Sequence, residues 1–250
     1  MRAGNLLADG LAALGFFTRL PVPFPERHGR PFAVALWAAP LAGLVVALLG
    51  AVVFMLAAAI GLSPVTAALL ALAATMLATG CLHEDGLADV ADGFGGGKDR
   101  EGKLLIMRDS RIGSYGVAAL VIGIGLRWAA LSELEPDSVL LALLAAHAAS
   151  RGLLPLFLKF TPPARVDGLA AGLSAMPLAV AASALALGSM ALLPLGLGPA
   201  VVLAVLLALL FLFWRALALR QIGGQTGDVC GALQQSAEII VLLAATLCLP

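Results

Sequence analysis

Charged residues are scarce in this sequence. Only 12% of its 250 residues are Asp, Glu, Lys or Arg, whereas soluble domains have about 25%. The three cysteines, Cys81, Cys230 and Cys248, have neither paired nor Cys-x-x-Cys spacing, which argues against a disulfide framework and a zinc site. These deficits exclude an ordinary soluble domain, and the 61% of hydrophobic residues indicates a polytopic membrane protein in one domain, 1–250.

The apolar stretches predict an all-α bundle of about seven membrane spans. A spanning helix needs roughly 20 mostly apolar residues. Pro40 marks either a kink or the true start of the first span, and Ser63 is placed as a helix N-cap. The predicted spans are 33–60, 65–82, 115–132, 138–159, 176–195, 199–219 and 233–249.

The N-terminus is a poor signal peptide, because Asp9 interrupts its apolar run and no small-residue cleavage site follows. We interpret Asn5 to Phe17 as a short amphipathic helix at the membrane surface, with a re-entrant segment as the alternative.

The basic residues lie on one side of this seven-span arrangement. All fifteen except Arg127 and Arg151 fall before the first span or in every second loop, and the opposite loops carry only acidic residues such as Glu135. Basic loops stay in the cytoplasm, which predicts a cytoplasmic N-terminus and an external C-terminus. The residues on the predicted cytoplasmic side are Arg2, Arg19, Arg27, Arg30, Lys98, Arg100, Lys103, Arg108, Arg111, Lys159, Arg165, Arg215 and Arg220.

The most polar stretch is HEDGLADVADGFGGG, from His83 to Gly97, in the longest predicted cytoplasmic loop. Asp85, Asp89 and Asp92 have the spacing of one helix face. Three carboxylates on one face repel each other, and Mg²⁺ or Ca²⁺ would relieve the repulsion. A solvated acidic helix end is the alternative, but we favour a metal site, within an acidic and Gly-rich active-site segment at 83–116.

Basic and small residues follow the acidic stretch. Arg108 and Arg111 would share a helical face, and the neighbouring Ser110 and glycines add donors that suit phosphate oxygens. We favour phosphate binding for these two arginines. Contact with anionic lipid headgroups is the interpretation that we prefer for Lys98, Arg100 and Lys103.

Two arginines lie inside predicted spans, where a charge is costly and normally faces a cavity or a partner. Arg151 follows His147 by one turn, and together they indicate a polar cavity wall. Arg127 lies nearer the outer end of its span, where snorkelling would explain it.

Between the last two spans, Asp228 lies in the Gly-rich sequence QIGGQTGDVCGALQQ. It is interpreted either as a further carboxylate ligand or as part of an ordinary turn.

With these residues assembled, the sequence resembles the cobalamin synthase family of adenosylcobinamide-GDP ribazoletransferases. The similarity extends over nearly the whole chain in the order typical of the family. The matching segments are FFTRLPVP at 16–23, HEDGLADVADGFGGGKDRE at 83–101, IMRDSRIGSYG at 106–116, SR at 150–151 and GGQTGDVCGALQQ at 223–235.

The resemblance implies an Mg²⁺-dependent enzyme of the bacterial inner membrane, with its active site facing the cytoplasm. Such an enzyme joins adenosylcobinamide-GDP to α-ribazole, or its 5′-phosphate, and releases GMP. Besides these substrates and the lipid bilayer, other late cobalamin-assembly enzymes are candidate partners and an oligomer is open, whereas no nucleic acid is expected.

Two sets of site residues follow. The base for the ribazole hydroxyl would be His83, Glu84 or a metal-free carboxylate. The catalytic set is His83, Glu84, Asp85, Asp89 and Asp92, of which Asp85, Asp89 and Asp92 are the metal ligands. The substrate-binding set is Arg108, Asp109, Ser110, Arg111, Arg151, Gln225 and Asp228.

Two other classes compete with this interpretation. A secondary transporter would also contain intramembrane Arg and Asp residues, but its binding site should lie at the bilayer midplane. A membrane scaffold would explain the apolar bulk and leave the three-carboxylate face unexplained.

Overall fold

The computed structural model describes residues 3–23, 30–165 and 169–249. These residues form helices and no strand, with one isolated bridge between Pro163 and Gln225. Short 3-10 helices at Phe32–Ala38 and Leu193–Leu195 precede α2 and α10. The α-helices are α1 (Ala3–Phe17), α2 (Ala39–Ala59), α3 (Pro64–Thr79), α4 (Leu82–Gly96), α5 (Arg100–Ile106), α6 (Ser114–Glu133), α7 (Pro136–Phe160), α8 (Leu169–Leu173), α9 (Leu178–Met190), α10 (Leu197–Ile222) and α11 (Gly227–Cys248).

Six helical segments of the described chain are long and apolar enough to cross a membrane, and α3 with α4 would make a seventh if the bent pair is one span. The predicted polytopic bundle of about seven spans is therefore confirmed. The six segments are Phe32–Ala59, Ser114–Glu133, Pro136–Phe160, Leu178–Leu195, Leu197–Ile222 and Gly227–Cys248. The orientation of the bundle in the membrane stays a prediction. Arg2 and Arg27, two of the basic residues from which the orientation is predicted, lie outside the described residues.

Local signals in the sequence set several helix ends. Pro40 lies in the first turn of α2 and marks its start rather than a kink. Ser63 caps α3, because its hydroxyl accepts a hydrogen bond from the Thr66 N–H at 3.3 Å. After α3, Gly80 and Cys81 both adopt the left-handed conformation, with φ of 63° and 57°. These two residues end α3 and turn the chain through 88° into α4.

The acidic stretch forms a packed helix, α4, and its position on the cytoplasmic side stays a prediction. α4 packs against α6 and α11. Two glycines let α4 and α11 approach closely: a Cβ on Gly86 would lie 2.8 Å from the Asp228 carbonyl oxygen, and one on Gly231 would lie 3.1 Å from the His83 carbonyl oxygen. This contact also explains why α11 begins at Gly227 rather than near residue 233, since its first turns pack on α4.

The central helix of the bundle is α7, which packs against α2, α9 and α11. Small residues at its contacts bring the backbones together, as is common between membrane helices. A Cβ on Gly43 of α2 would lie 2.3 Å from the His147 carbonyl oxygen. Gly152 of α7 and Gly188 of α9 pack against each other in the same way.

A network of buried charges joins four helices. Arg127 of α6 is 1% exposed, and its Nη1 donates to Glu84 Oε1 of α4 at 2.9 Å and to Glu238 Oε1 of α11 at 3.0 Å. The second oxygen of Glu238 lies 3.1 Å from His147 Nδ1 and 3.7 Å from Arg151 Nη1, both on α7. The snorkelling interpretation of Arg127 is therefore wrong, because α4 and α11 supply carboxylates to it inside the bundle.

The N-terminal helix also packs against protein. α1 contacts the 3-10 helix Phe32–Ala38 and α2. The fully buried Asp9, which interrupts the apolar run, accepts hydrogen bonds from Arg30 Nη2 at 3.0 Å and Trp37 Nε1 at 3.1 Å. The Asp9 side of α1 therefore faces the bundle. The packing of α1 also places Phe16 and Phe17 beside α4.

Two of the basic residues that we assigned to lipid headgroups also contact protein. Arg100 donates to the carbonyl oxygens of Ile222, at 2.8 Å, and of Ala164, at 2.7 Å. Lys103 donates to the side chain of Gln221. These contacts hold α5 against the end of α10, and contact of both residues with lipid headgroups stays a prediction.

Candidate active site

Asp85 lines two cavities. The polar cavity, of about 390 Å³, lies between α4 and the 107–113 loop. The apolar cavity, of about 230 Å³, lies between α1, α4, α7 and the start of α11. Among the predicted site residues, Glu84, Asp85, Asp89, Arg108, Asp109, Ser110 and Arg111 line the polar cavity. His83, Asp85 and Asp228 line the apolar one.

The apolar cavity has aromatic and aliphatic walls. Phe16 and Phe17 come from α1, and Leu154 and Leu158 from α7. The rings of Phe17 and His83 are nearly parallel, with centroids 6.0 Å apart. His83 is only 3% exposed, so its imidazole is part of this wall and is screened from bulk water.

Carboxylates crowd around Asp89 of α4. Asp85 and Asp92 from the same helix and Asp228 from α11 are close enough to act on its charge, and the guanidinium of Arg165 acts on it in the opposite sense. Asp85 and Arg108 also act on Asp228. The close contact of α4 and α11 at Gly86 thus adds Asp228 to the acidic face that the spacing predicts.

Asp92 has a different environment. Its Oδ2 accepts a hydrogen bond from the Gly113 N–H at 2.7 Å, and its Oδ1 accepts one from the Gly116 N–H at 2.8 Å. These donors belong to the N-terminal end of α6, where backbone N–H groups lack helical partners. Both carboxylate oxygens of Asp92 therefore bind the backbone at the start of α6, directly after the 107–113 loop.

In the described residues, Asp85, Asp89 and Asp92 are not gathered into one metal-binding group, and their role as metal ligands stays a prediction. Within residues 3–23, 30–165 and 169–249, no group of three or more His, Cys, Asp or Glu side chains is placed to hold a metal ion. One physical reason is that residues seven apart on a helix are about 10 Å apart along its axis. The other is that the Asp92 carboxylate already accepts hydrogen bonds from the start of α6.

The remaining carboxylates still fit a magnesium ion. Mg²⁺ is usually bound by one or two carboxylates, with water and substrate phosphates completing its shell. Asp85 is exposed and Asp89 is half-buried at the polar cavity. Oxygen donors and an excess of negative charge around Asp89 match this ion, with Asp228 as the third nearby carboxylate.

The 107–113 loop is not helical, so the prediction that Arg108 and Arg111 share a helical face is wrong. α5 ends at Ile106. Arg111 instead binds Asp109, with Nη2 to Oδ2 at 2.6 Å. Hydrogen bonds from the Arg111 side chain and backbone lower the pKa of Asp109 to about 2, so this exposed pair stays ionised at neutral pH. Both residues nevertheless lie at the polar cavity, as does Arg108.

Three predicted residues are bound mainly by other protein groups. Arg151 is 1% exposed, and its Nη1 lies 3.0 Å from His147 Nδ1 and 3.2 Å from the His147 carbonyl oxygen. Gln225 is also buried, and its Nε2 donates to the Ala170 carbonyl oxygen at 3.4 Å. Glu84 lines the polar cavity, but its Oε1 accepts from Arg127.

Sequence reasoning missed two kinds of residue at this site. Phe16 and Phe17 were assigned to a surface helix, although FFTRLPVP is one of the segments that carry the resemblance. Arg165 was counted only as a basic loop residue, and its Nη2 lies 3.0 Å from Asp228 Oδ2. No local pattern marks Arg165, because Asp228 is 63 residues away in the chain.

Comparisons with known proteins show the family of this chain. The sequence profile described as Cobalamin-5-phosphate synthase matches residues 9–246. The chain is 57% identical to the adenosylcobinamide-GDP ribazoletransferase of Mesorhizobium japonicum over 246 residues, which are 98% of this chain and 95% of the relative. It is 54% identical to that of Bradyrhizobium diazoefficiens, over 96% of this chain and 94% of the relative.

A third relative, the adenosylcobinamide-GDP ribazoletransferase of Azorhizobium caulinodans, is 46% identical over 97% of both chains. No solved structure matches the chain. The profile match and the relatives confirm the resemblance stated from the motifs, and the chain belongs to the cobalamin-5-phosphate synthase family.

Proposed function

We propose that this chain joins adenosylcobinamide-GDP to α-ribazole, or to α-ribazole 5′-phosphate, and releases GMP as the last step of cobalamin assembly. The names of its relatives support this reaction. The observation that carries the proposal is the position of Asp85, which is shared by a polar, arginine-bearing cavity and an apolar, aromatic-walled cavity. A diphosphate suits the first cavity, and a flat aromatic base suits the second.

The reaction exchanges one phosphorus–oxygen bond for another. A hydroxyl oxygen of the ribazole attacks the phosphorus that stays with the corrinoid, and the bond to the GMP oxygen breaks. The hydroxyl proton needs an acceptor, and His83 is the predicted group that lies on the wall of the apolar cavity beside Asp85. Glu84 is less suited to this role, because Arg127 already donates to its carboxylate.

Electrostatic stabilisation is the main demand of such a reaction, because charge develops on the phosphoryl oxygens and on the leaving group. Asp85 and Asp89, with Asp228 nearby, would hold Mg²⁺, which when bound neutralises phosphate charge. Arg108 lies at the polar cavity, where its guanidinium would bind diphosphate oxygens. Ser110 and the backbone of the 107–113 loop add further donors there.

The site would face the cytoplasm of a bacterial inner membrane. The clustering of basic residues in alternate loops supports this orientation. A cytoplasmic site also agrees with the proposed substrate, since a GDP-activated corrinoid is made from a guanine nucleotide and nucleotides are cytoplasmic compounds. A secondary transporter is not favoured, because the curated relatives are named as transferases.

The test is a mixing assay with protein purified in detergent. We expect GMP and a cobalamin product in equal amounts from a GDP-activated corrinoid and α-ribazole in the presence of Mg²⁺. Excess chelator should stop both, and added Mg²⁺ should restore them. Substrate uptake into vesicles without GMP release would instead support a transporter and contradict the proposal.

A further inference from the structure

Arg165 places a cation among the carboxylates of the candidate site. Its Nη2 lies 3.0 Å from Asp228 Oδ2, and its charge also acts on Asp89. The side chains of Arg165 and Asp228 are 17% and 25% exposed, so the pair lies at the edge of the site, partly screened from water. In the described structure this arginine therefore balances part of the negative charge that Mg²⁺ would balance.

The backbone fixes the segment that carries Arg165. The Gln225 N–H donates to the Pro162 carbonyl oxygen, and the Ala164 N–H donates to the Gln225 carbonyl oxygen, both at 2.8 Å. Gly224 makes this contact close, because a Cβ there would lie 2.2 Å from the Pro162 carbonyl oxygen. The backbone next to Arg165 is thus held beside the N-terminal turn of α11.

A guanidinium at this position has two competing partners. Its planar donor fork matches a carboxylate and a phosphate equally well. In the free protein the available partner is Asp228, whose Oδ2 also accepts a hydrogen bond from the Thr226 hydroxyl at 3.1 Å. A bound diphosphate brings more negative charge than one carboxylate, so it would draw the arginine away from Asp228.

We propose that Arg165 is a substrate-binding residue that exchanges its ion pair with Asp228 for a phosphate oxygen of the GDP-activated corrinoid. The exchange frees Asp228 to face the metal-binding carboxylates when the diphosphate is present. Arg165 therefore weakens divalent-cation binding in the free protein and strengthens substrate binding. The inference rests on the proposed function, because it takes the diphosphate substrate from it.

Two other arginines near the site, Arg100 and Arg111, have different contacts. Arg100 binds the carbonyl oxygens of Ile222 and Ala164. Arg111 is 87% exposed and binds Asp109. Arg165 differs from both because its described partner is itself a candidate metal ligand. This difference predicts opposite effects on metal and substrate, which a purely structural arginine would not produce.

The test compares Arg165→Gln with the wild-type protein in two measurements. The first is binding of Mn²⁺ alone, followed by electron paramagnetic resonance without substrate, and the second is the KM for the GDP-activated corrinoid. Since a hydrogen bond to a charged group contributes a factor of about 10 to 100, we expect the KM to rise at least about tenfold. We expect Mn²⁺ to bind the variant several-fold more tightly, because the competing cation is gone.

Two further variants keep the outcome interpretable. Arg165→Lys retains the charge, so its Mn²⁺ affinity should stay close to wild type while its KM rises, because the fork is lost. Arg215→Gln is the matched control, since Arg215 binds the Phe160 carbonyl oxygen at 3.0 Å, and it should change neither measurement. If Arg165→Gln does not fold, the Arg165→Lys variant still tests the KM effect.

The outcomes separate this inference from the proposed function. A wild-type protein that releases no GMP would contradict the proposed function itself. An active wild type, with a Mn²⁺ affinity that is unchanged or weaker in Arg165→Gln, would overturn the exchange. An unchanged KM in Arg165→Gln or in Arg165→Lys would overturn it as well.

Discussion

Arg127→Met tests the buried charge network that holds the acidic helix in place. The substitution keeps an unbranched apolar stem and removes the guanidinium that binds both Glu84 and Glu238. Glu238 Oε2 would still accept a hydrogen bond from Gln234 Nε2 at 2.6 Å, and it would still lie 3.1 Å from His147 Nδ1. Glu84 would still accept a hydrogen bond from Gln235 Nε2 at 3.3 Å, and it would be left as a buried carboxylate that has lost its hydrogen-bonded cation.

The expected cost follows from this geometry. Breaking a buried ion pair by removing one partner costs about 3–5 kcal/mol of stability. Side-chain exposures of 1% for Arg127 and 6% for Glu84 mean that solvent screens the pair little. We therefore expect a loss in this range. Replacing Glu84 by Gln in the same protein should recover part of it, because the stranded charge is then removed.

The assay is unfolding of the detergent-solubilised protein, by heat and by denaturant. Arg111→Met is the matched control, because it makes the same change in an ion pair whose arginine is 87% exposed, and exposed pairs contribute little or nothing measurable. Equal losses in Arg127→Met and Arg111→Met would refute the reasoning. So would an Arg127→Met, Glu84→Gln double variant whose loss is the sum of the two single losses.

Three further predictions concern other contacts. Asp92→Ala should lower stability by about 2 kcal/mol, because two backbone N–H groups of the 113–116 turn lose a charged acceptor; an unchanged unfolding midpoint would show that this contact contributes nothing. Gly43→Ala should cost about 1–3 kcal/mol by pushing α2 away from α7, and a variant as stable as wild type would mean that the helices can separate freely. In a background without reactive cysteines, a cysteine at Lys98 should be labelled only from the cytoplasm and one at Glu135 only from outside, and the reverse pattern would invert the orientation.

The apolar runs predicted most of the helices, because span length and helix signals are local properties. Pro40 and Ser63 marked helix starts that the structure contains. The break between α3 and α4 was harder to predict, since Cys81 adopts a left-handed conformation that its residue type rarely takes. A continuous apolar run up to residue 82 therefore looked like one straight span.

The site was predicted in its composition more than in its contacts. Helical spacing predicted that Asp85 and Asp89 share a face, and both residues line the polar cavity. It could not show that Asp92 binds the start of α6, because the donors at Gly113 and Gly116 are more than twenty residues away. The same limit concealed the partners of Arg127, which come from α4 and α11. Long-range packing of helices decides such contacts, and the pattern within one helix carries no information about them.

The central claim is that the reaction takes place at Asp85, between the two cavities. The direct measurement is the kcat for GMP release by Asp85→Asn, compared with Asp137→Asn in the first turn of α7 as a control remote from the site. Loss of an electrostatic element of an active site typically lowers kcat by about 100- to 1,000-fold, and we expect at least this loss with an unchanged melting temperature. Near-wild-type turnover in a well-folded Asp85→Asn protein would contradict the account.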